Sequence, residues 1–431
     1  MNIMIIHTVK QGDTIWKLAR TYGVSPERIL SDNAVSNPNR LVIGQALLIL
    51  LPETIHTVRP GDTLTSIASQ YGTDITTILQ NNPSIILNPS LYAGEKLTIS
   101  FQSEKTRNIL LNGYAYPYVN MDVLRQTLPY LSMLTIFGYG VSADGTLIKI
   151  DDQPLIDMAR RYQVAPIMLL SSITEEGTFS GERASNLFRN IELQNAVIQE
   201  IIQTMKQKGY YGLDVDFEYV NQEDSEAYLQ FLRNVTRQLN QEGFRVNVDL
   251  APKTSAAQAG LLYEAHDYAK IGAIADTVLI MTYEWGYTYG PPMAVAPIDK
   301  VREVVEYAVT EIPVSKILMG VPNYGYDWVL PYMRGETRAT SIGNQQAIQI
   351  AARNNAQIQF DETAQSPYFR YWDANRREHI VWFEDVRSIL AKMNLISEFD
   401  LLGAGYWNVM RPFVQNWLLV SNLFQITKLI S

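Results

Sequence analysis

An α/β chain is predicted: a (β/α)8 barrel with a small α+β insertion, preceded by two small βααβ modules. Three observations predict it. Eight apolar runs alternate with amphipathic segments, a repeat is confined to the first hundred residues, and one interval between the seventh and eighth runs is too long for a loop. Strand-like runs alternating with helical patterns imply a parallel sheet covered by helices, and eight such units suffice to close it.

The repeat comes first along the chain. "IHTVKQGDTIWKLARTYGVSPERIL" (6–30) returns as "IHTVRPGDTLTSIASQYGTDITTIL" (55–79), and "IGQALLIL" (43–50) is answered by "AGEKLTIS" (93–100). Each copy reads as a strand, a Gly-Asp-Thr turn, two helices and a closing strand. Asp13 and Asp62 suit a helix N-cap, Ile15 with Ala19 and Leu64 with Ala68 share a helical face, and Gly23 or Gly72 ends the helix. The modules are placed at 1–50 and 51–101, and the polar stretch "QSEKTRN" (102–108) leads into the barrel at 106–431.

The barrel strands are read at 108–116, 131–139, 165–172, 212–220, 244–252, 276–285, 316–326 and 401–409. Helical patterns such as 182–207 and 223–243 separate them. Residues about 329–383, with "QQAIQIAARN" and "PYFRYWDANRREHIVWF", form the insertion; placed after a barrel strand, it would wall a cleft on the rim where such barrels hold their sites.

Composition narrows the function. The chain has 431 residues, 47% hydrophobic and 18% charged, and a formal charge of −9, which disfavours nucleic acid and anionic membranes as partners. Cys is absent and His7, His56, His266 and His379 are scattered, so neither a metal site nor a cofactor is expected. No run reaches the ~18 apolar residues of a membrane helix, and "MNIMIIHTVKQGD" lacks the basic start and cleavage site of a secretory leader.

One stretch carries chemistry. In "YYGLDVDFEYV" (210–220) Asp214, Asp216 and Glu218 alternate with apolar residues, so in a strand they share one face. Crowding three acids is costly unless protons or partners compensate. Glu218 is nearest the C-terminal strand end, where it would hold a proton as a general acid, with Asp216 and Asp214 beneath it.

The repeated modules closely resemble the LysM family. The resemblance implies binding of N-acetylglucosamine-containing glycans, peptidoglycan or chitin, in a groove between Gly12, Asp13, Thr14, Ile15 and the loop Asn33 to Pro38, and at Gly61, Asp62, Thr63, Leu64 in the second copy. The acid stretch resembles the fourth strand of the family 18 glycoside hydrolases, Asp-Gly-x-Asp-x-Asp-x-Glu, with Gly212, Asp214, Asp216 and Glu218 in the matching places. That resemblance makes Glu218 the acid/base, Asp216 the group that orients the substrate's N-acetyl, and Asp214 its support. The nucleophile would be the substrate's own acetamido oxygen. "MTYEWG" (281–286) and "GYWN" (405–408) resemble two further family motifs, which places Tyr283 on the acetamido carbonyl and Trp407 under the distorted sugar, with Met281 and Glu284 beside them. Asn323 and Tyr324, at the end of the seventh run, are further rim candidates.

Tyr211, Phe217, Glu284 and the third run's "LLSSI" depart from the family pattern. The layout as a whole, with "PPMAVAPI" (291–298) and "VWFEDVRS" (381–388), resembles the cortex-lytic enzymes of endospore-forming bacteria. It implies an N-acetylglucosaminidase acting on cortex peptidoglycan during germination, located in the spore. A chitinase and a non-catalytic glycan-binding lectin are the alternatives. The sequence leaves endo or exo action and oligomeric state open.

Overall fold

The computed structural model describes residues 4–142, 144–260 and 263–431. Module one runs β1 (Met4–Thr8), α1 (Ile15–Tyr22), α2 (Pro26–Asp32), β2 (Ala46–Leu50); module two runs β3 (Pro52–Thr57), α3 (Leu64–Tyr71), α4 (Ile75–Asn81), β4 (Lys96–Phe101). In each, the two strands pair antiparallel. Gly23 and Gly72 close the first helices in the left-handed region, at φ 69° and 62°, which a side chain would strain.

The N-caps differ from the sequence reading. Thr14 and Thr63 cap α1 and α3, their hydroxyls accepting from the Lys17 and Ser66 amides. Asp13 and Asp62 sit one residue too early. Each instead closes the turn, accepting from the Lys10 or Arg59 amide at 2.7 Å and pairing with His7 or His56.

The barrel begins with β5 (Asn108–Ala115), α5 (Met121–Thr127), β6 (Met133–Val141), the short β7 (Leu147–Ile148), α6 (Gln153–Arg161) and β8 (Ala165–Ser171). It continues through α7 (Gly181–Arg189), α8 (Ile191–Lys208), β9 (Gly212–Asp216), α9 (Ser225–Gln241), β10 (Arg245–Leu250), α10 (Tyr268–Ile274), β11 (Thr277–Ile280), α11 (Ile298–Glu311) and β12 (Ile317–Pro322). The parallel order β5-β6-β8-β9-β10-β11-β12, completed by β18 (Gly403–Trp407), returns to β5 and closes.

Between β12 and β18 lies a five-stranded antiparallel sheet. It holds β13 (Gly325–Val329), β14 (Thr340–Ile342), β15 (Gln359–Asp361), β16 (Ser366–Trp372) and β17 (Glu378–Trp382), with α12 (Asn344–Arg353) against it. The seventh run of the sequence thus divides. Its barrel part stops at Pro322, and Gly325–Val329 leaves to pair with β14 and β17. Gly325 permits this, because a Cβ there would lie 2.3 Å from the Trp382 carbonyl oxygen.

Two helices follow the insertion, α13 (Val386–Glu398) and α14 (Val414–Leu423), the second after β18. Nine of the ten α14 residues, Gln415 to Leu423, are buried. A helix covered on every side needs a partner on every side, and here the modules supply one. The Gln415 amide donates to Asn33 Oδ1 and to the Ala46 carbonyl, Gln80 donates to the Pro129 carbonyl, and the Ile358 amide donates to the Ile43 carbonyl at 2.9 Å. The modules are docked on the barrel rather than tethered beside it. A final short strand, β19 (Gln425–Ile426), pairs with β5.

Candidate active site

Closing the barrel sets β9 against β10 with Asp214 opposite Asn247. Side chains of one parity point inward, so Asp214 and Asp216 meet Asn247 and Asp249 in the barrel's centre. Asp214 is fully buried and well supplied: Asn247 Nδ2 donates at 2.7 Å and the Tyr114 hydroxyl at 2.7 Å. Burial raises its pKa, and these donors oppose the rise. Asp216, one layer higher, lacks such help; its Oδ1 is buried with no hydrogen-bond partner among the described residues. Burial, then the charges of Glu218 and Asp214, push it well above the carboxylate range.

Glu218 is not in the strand, which ends at Asp216. It lies in the following loop, half-buried, with no hydrogen bond to protein among the described residues. Its carboxyl lines a cavity of about 470 Å³ shared with Asp216, Asp249, Tyr283, Glu284 and Trp407. Burial comes first in raising its pKa, and the charge of Glu284 second. The sequence places only the aspartates beside Glu218; the structure brings Glu284 against it from another strand end.

The loop is held in place by a neutral histidine. Ala251 N donates to His266 Nδ1 at 2.8 Å, leaving Nε2 to donate to the Phe217 carbonyl at 3.2 Å. Full burial lowers the His266 pKa to about 4. The imidazole therefore ties the end of β10 to the residue preceding Glu218.

Tyr283 and Trp407 both border the cavity. Tyr283 has no protein partner for its hydroxyl among the described residues, and burial raises its pKa well above the usual phenol value, so it stays a donor. Trp407 packs against Tyr114, Tyr116 and Phe137 with ring centres 5.7 to 5.9 Å apart, leaving part of the indole toward the cavity. Met281, Trp285 and Tyr326 line the wall beside them, with Ala251 and Pro252, which follow β10, and Tyr263.

Glu284 adopts φ 68°, a conformation unusual outside glycine. Its carboxylate opens to the cavity while protein surrounds its base; burial raises its pKa and two tyrosines hold it back. The Tyr324 hydroxyl donates to Oε1, and Tyr326 donates to the same oxygen at 3.0 Å.

Two rim candidates are corrected. Asn323 is 1% exposed and absent from the cavity wall; its amide donates to the Asn408 and Arg411 carbonyls at 3.0 and 2.9 Å, stapling the loop after β18. Tyr324 is buried and reaches the cavity only through Glu284. Both sit where the chain turns from β12 into β13, and their side chains reach away from that turn to the loop after β18 and to Glu284. In the modules, Gly12, Thr14, Gly61 and Thr63 are exposed, Asp13, Asp62 and Leu64 are half-buried, and Ile15 is fully buried in its module core.

Sequence reasoning missed Asp249, Asn247, Tyr114 and His266. Asn247 and Asp249 alternate within the fifth run just as the acids do in the fourth, a signal that was present. No pattern joined Tyr114 or His266 to the site. Among the described residues no group of three or more His, Cys, Asp or Glu is placed to hold a metal ion.

Comparison with known proteins finds relatives along the whole chain. The model of glycosyl hydrolases family 18 matches residues 136–411, and the LysM domain model matches 7–50 and 56–100. A cortical fragment-lytic enzyme of Bacillus subtilis is 44% identical over 99% of both chains. The crystal structure of the Bacillus megaterium spore cortex-lytic enzyme SleL superposes with a TM-score of 0.85 at 40% identity, covering 100% of each chain. A chitinase from Chromobacterium violaceum, 23% identical over 73% of this chain and 98% of its own, shares the fold with a TM-score of 0.67. The chain is a glycoside hydrolase that belongs to glycosyl hydrolases family 18 and carries two LysM domains ahead of its barrel.

Proposed function

We propose that this hydrolase cleaves the β-1,4 bond following N-acetylglucosamine in spore cortex peptidoglycan, acting in the germinating spore, with retention of anomeric configuration. The observation that carries the reading is Glu218: a cavity-lining carboxyl with a raised pKa and no protein partner among the described residues, beside Tyr283 and Trp407. Such a group keeps its proton to a higher pH than an ordinary carboxyl does and gives it to the glycosidic oxygen.

In the same step the acetamido oxygen of the sugar closes on its anomeric carbon. Asp216 orients the amide and takes up the positive charge that develops on it, Asp214 supports Asp216, and the Tyr283 hydroxyl holds the acetamido carbonyl. Glu218, now a carboxylate, removes a proton from water, which opens the cyclic intermediate. Trp407 offers its face to the sugar's apolar side, and Met281 and Glu284 contact its edge. The cortex as substrate rests on the full-length likeness to cortical fragment-lytic enzymes.

The docked LysM domains hold the same polymer through the turns at Gly12 to Ile15 and Gly61 to Leu64, so they present the glycan from a fixed position. Mass and NMR analysis of products from cortex fragments and from chitin oligomers tests this. New N-acetylglucosamine reducing ends, formed as the β-anomer and faster from cortex, are expected. Faster cleavage of chitin would favour the chitinase reading, and an inverted product would exclude acetamido participation.

A further inference from the structure

Asp249 has no role in the mechanism above, yet it borders the same cavity and is 3% exposed. Its Oδ1 lies 2.9 Å from the Tyr114 hydroxyl and 3.0 Å from Asn247 Nδ2. That hydroxyl is also 2.7 Å from Asp214 Oδ2. The amide has two protons and serves both acids, whereas the phenol has one. Two carboxylates cannot both receive it, and the Tyr114 hydroxyl is held well away from ionising by burial and by both aspartates. A second proton must therefore sit among Tyr114 and the two acids, on one of the carboxyls.

The donor distribution says which acid carries it. Asp214 accepts from Asn247 on Oδ1 and from Tyr114 on Oδ2, both at 2.7 Å, with the Thr135 hydroxyl at 3.5 Å. Asp249 has two longer donor contacts, both on one oxygen, and its carboxyl also lies within hydrogen-bond reach of Asp214, which holds the pKa of Asp249 up and that of Asp214 down. Donors stabilise the ionised form, so the charge belongs on Asp214 and the proton on Asp249. The titratable groups facing Asp249 agree. They are Asp214 and Asp216 from β9, Tyr114 from β5, Tyr283 after β11 and Tyr228 from α9, and none can become a cation.

We propose that Asp249 is a neutral carboxylic acid in the working enzyme, giving its proton to the Tyr114 oxygen so that Tyr114 gives its own to Asp214. Asp249 is then a positioning residue: it fixes Asp214 as the ionised member of the cluster and so sets the electrostatic support beneath Asp216. The kinetic consequence rests on the mechanism proposed above; the location of the proton does not.

The test has two arms. Infrared difference spectra at neutral pH compare the wild type with Asp249→Asn, without substrate. Loss of one protonated-carboxyl carbonyl band, of the kind that shifts in heavy water, is expected; an unchanged set of such bands overturns the proposal. In the kinetic arm, Asp249→Leu removes the donor and is expected to lower kcat about ten- to a hundredfold. Asp249→Asn, whose amide nitrogen can donate to Tyr114 although it cannot also accept from Asn247 as the protonated oxygen does, is expected to recover part of that loss. Equal damage by Asn and Leu overturns it. If the Leu variant does not fold, the infrared arm decides alone, and because it needs no turnover its failure is distinct from a failure of the proposed mechanism.

Discussion

Asp214 and Asn247 stand opposite each other on adjacent strands, and a 2.7 Å hydrogen bond joins their side chains. Register alone produces the contact. The acid beneath the reactive pair therefore owes part of its charge to a neutral residue on the next strand. Asn247→Ala should leave Asp214 short of a donor in a dry interior. A loss of about 1–3 kcal/mol in urea unfolding, with a five- to hundredfold fall in kcat/KM, is expected; an unaffected kcat/KM would show that Asp214 needs no such help.

Tyr324 acts through Glu284. Its hydrogen bond favours the charged carboxylate, so Tyr324→Phe should move the Glu284 pKa further up. A neutral Glu284 repels Glu218 less, and the Glu218 pKa should fall. Glu218 would then lose its proton at a lower pH, and the alkaline limb of the kcat profile should shift toward acid. A shift in the opposite direction would mean that Glu284 does not act on Glu218 by charge.

Asp216 trades stability for function. Its folded pKa lies above the unfolded value, so its contribution to stability is complete below the ordinary carboxyl pKa and is lost as pH rises through the folded one. Asp216→Asn should be indistinguishable from wild type in stability near pH 4 and more stable near pH 7, while losing activity. Thermal unfolding at the two pH values reads this directly, and equal stabilities at pH 7 would contradict it.

Removing residues 1–101 should uncover α14, including Leu418 and Leu419, which are fully buried in the intact chain. Exposing two or three large side chains costs about 1.5–3 kcal/mol each, or roughly 5–15 °C in Tm for a domain of this size. Calorimetry of the truncated barrel checks this; an unchanged Tm would mean that the modules cover nothing the barrel needs.

The parts of the molecule legible in sequence were those written in local periodicity. Alternation gave Asp214 and Asp216 a common inward face, eight runs gave the closed barrel, and the repeat gave two modules. What the reading missed depends on closure and register. Asp249 and Asn247 matter because β10 lies beside β9, and Tyr114 because β5 completes the ring on the far side. His266 reaches the acid loop from the segment before α10. Asn323 and Tyr324 looked like a strand end at a rim, yet the chain departs there into a second sheet, which turns both side chains to structural or indirect tasks. The aspartates of the Gly-Asp-Thr turns were one residue from the caps, because Thr14 and Thr63 are the last extended residues before the helices.

Steady-state hydrolysis of cortex fragments by Glu218→Gln, measured beside glycan binding by the same variant, bears most directly on the claim that Glu218 delivers the proton. Turnover is expected to fall by about 10²–10⁴-fold with binding retained. Turnover like that of the wild type would contradict the assignment of Glu218 as the acid.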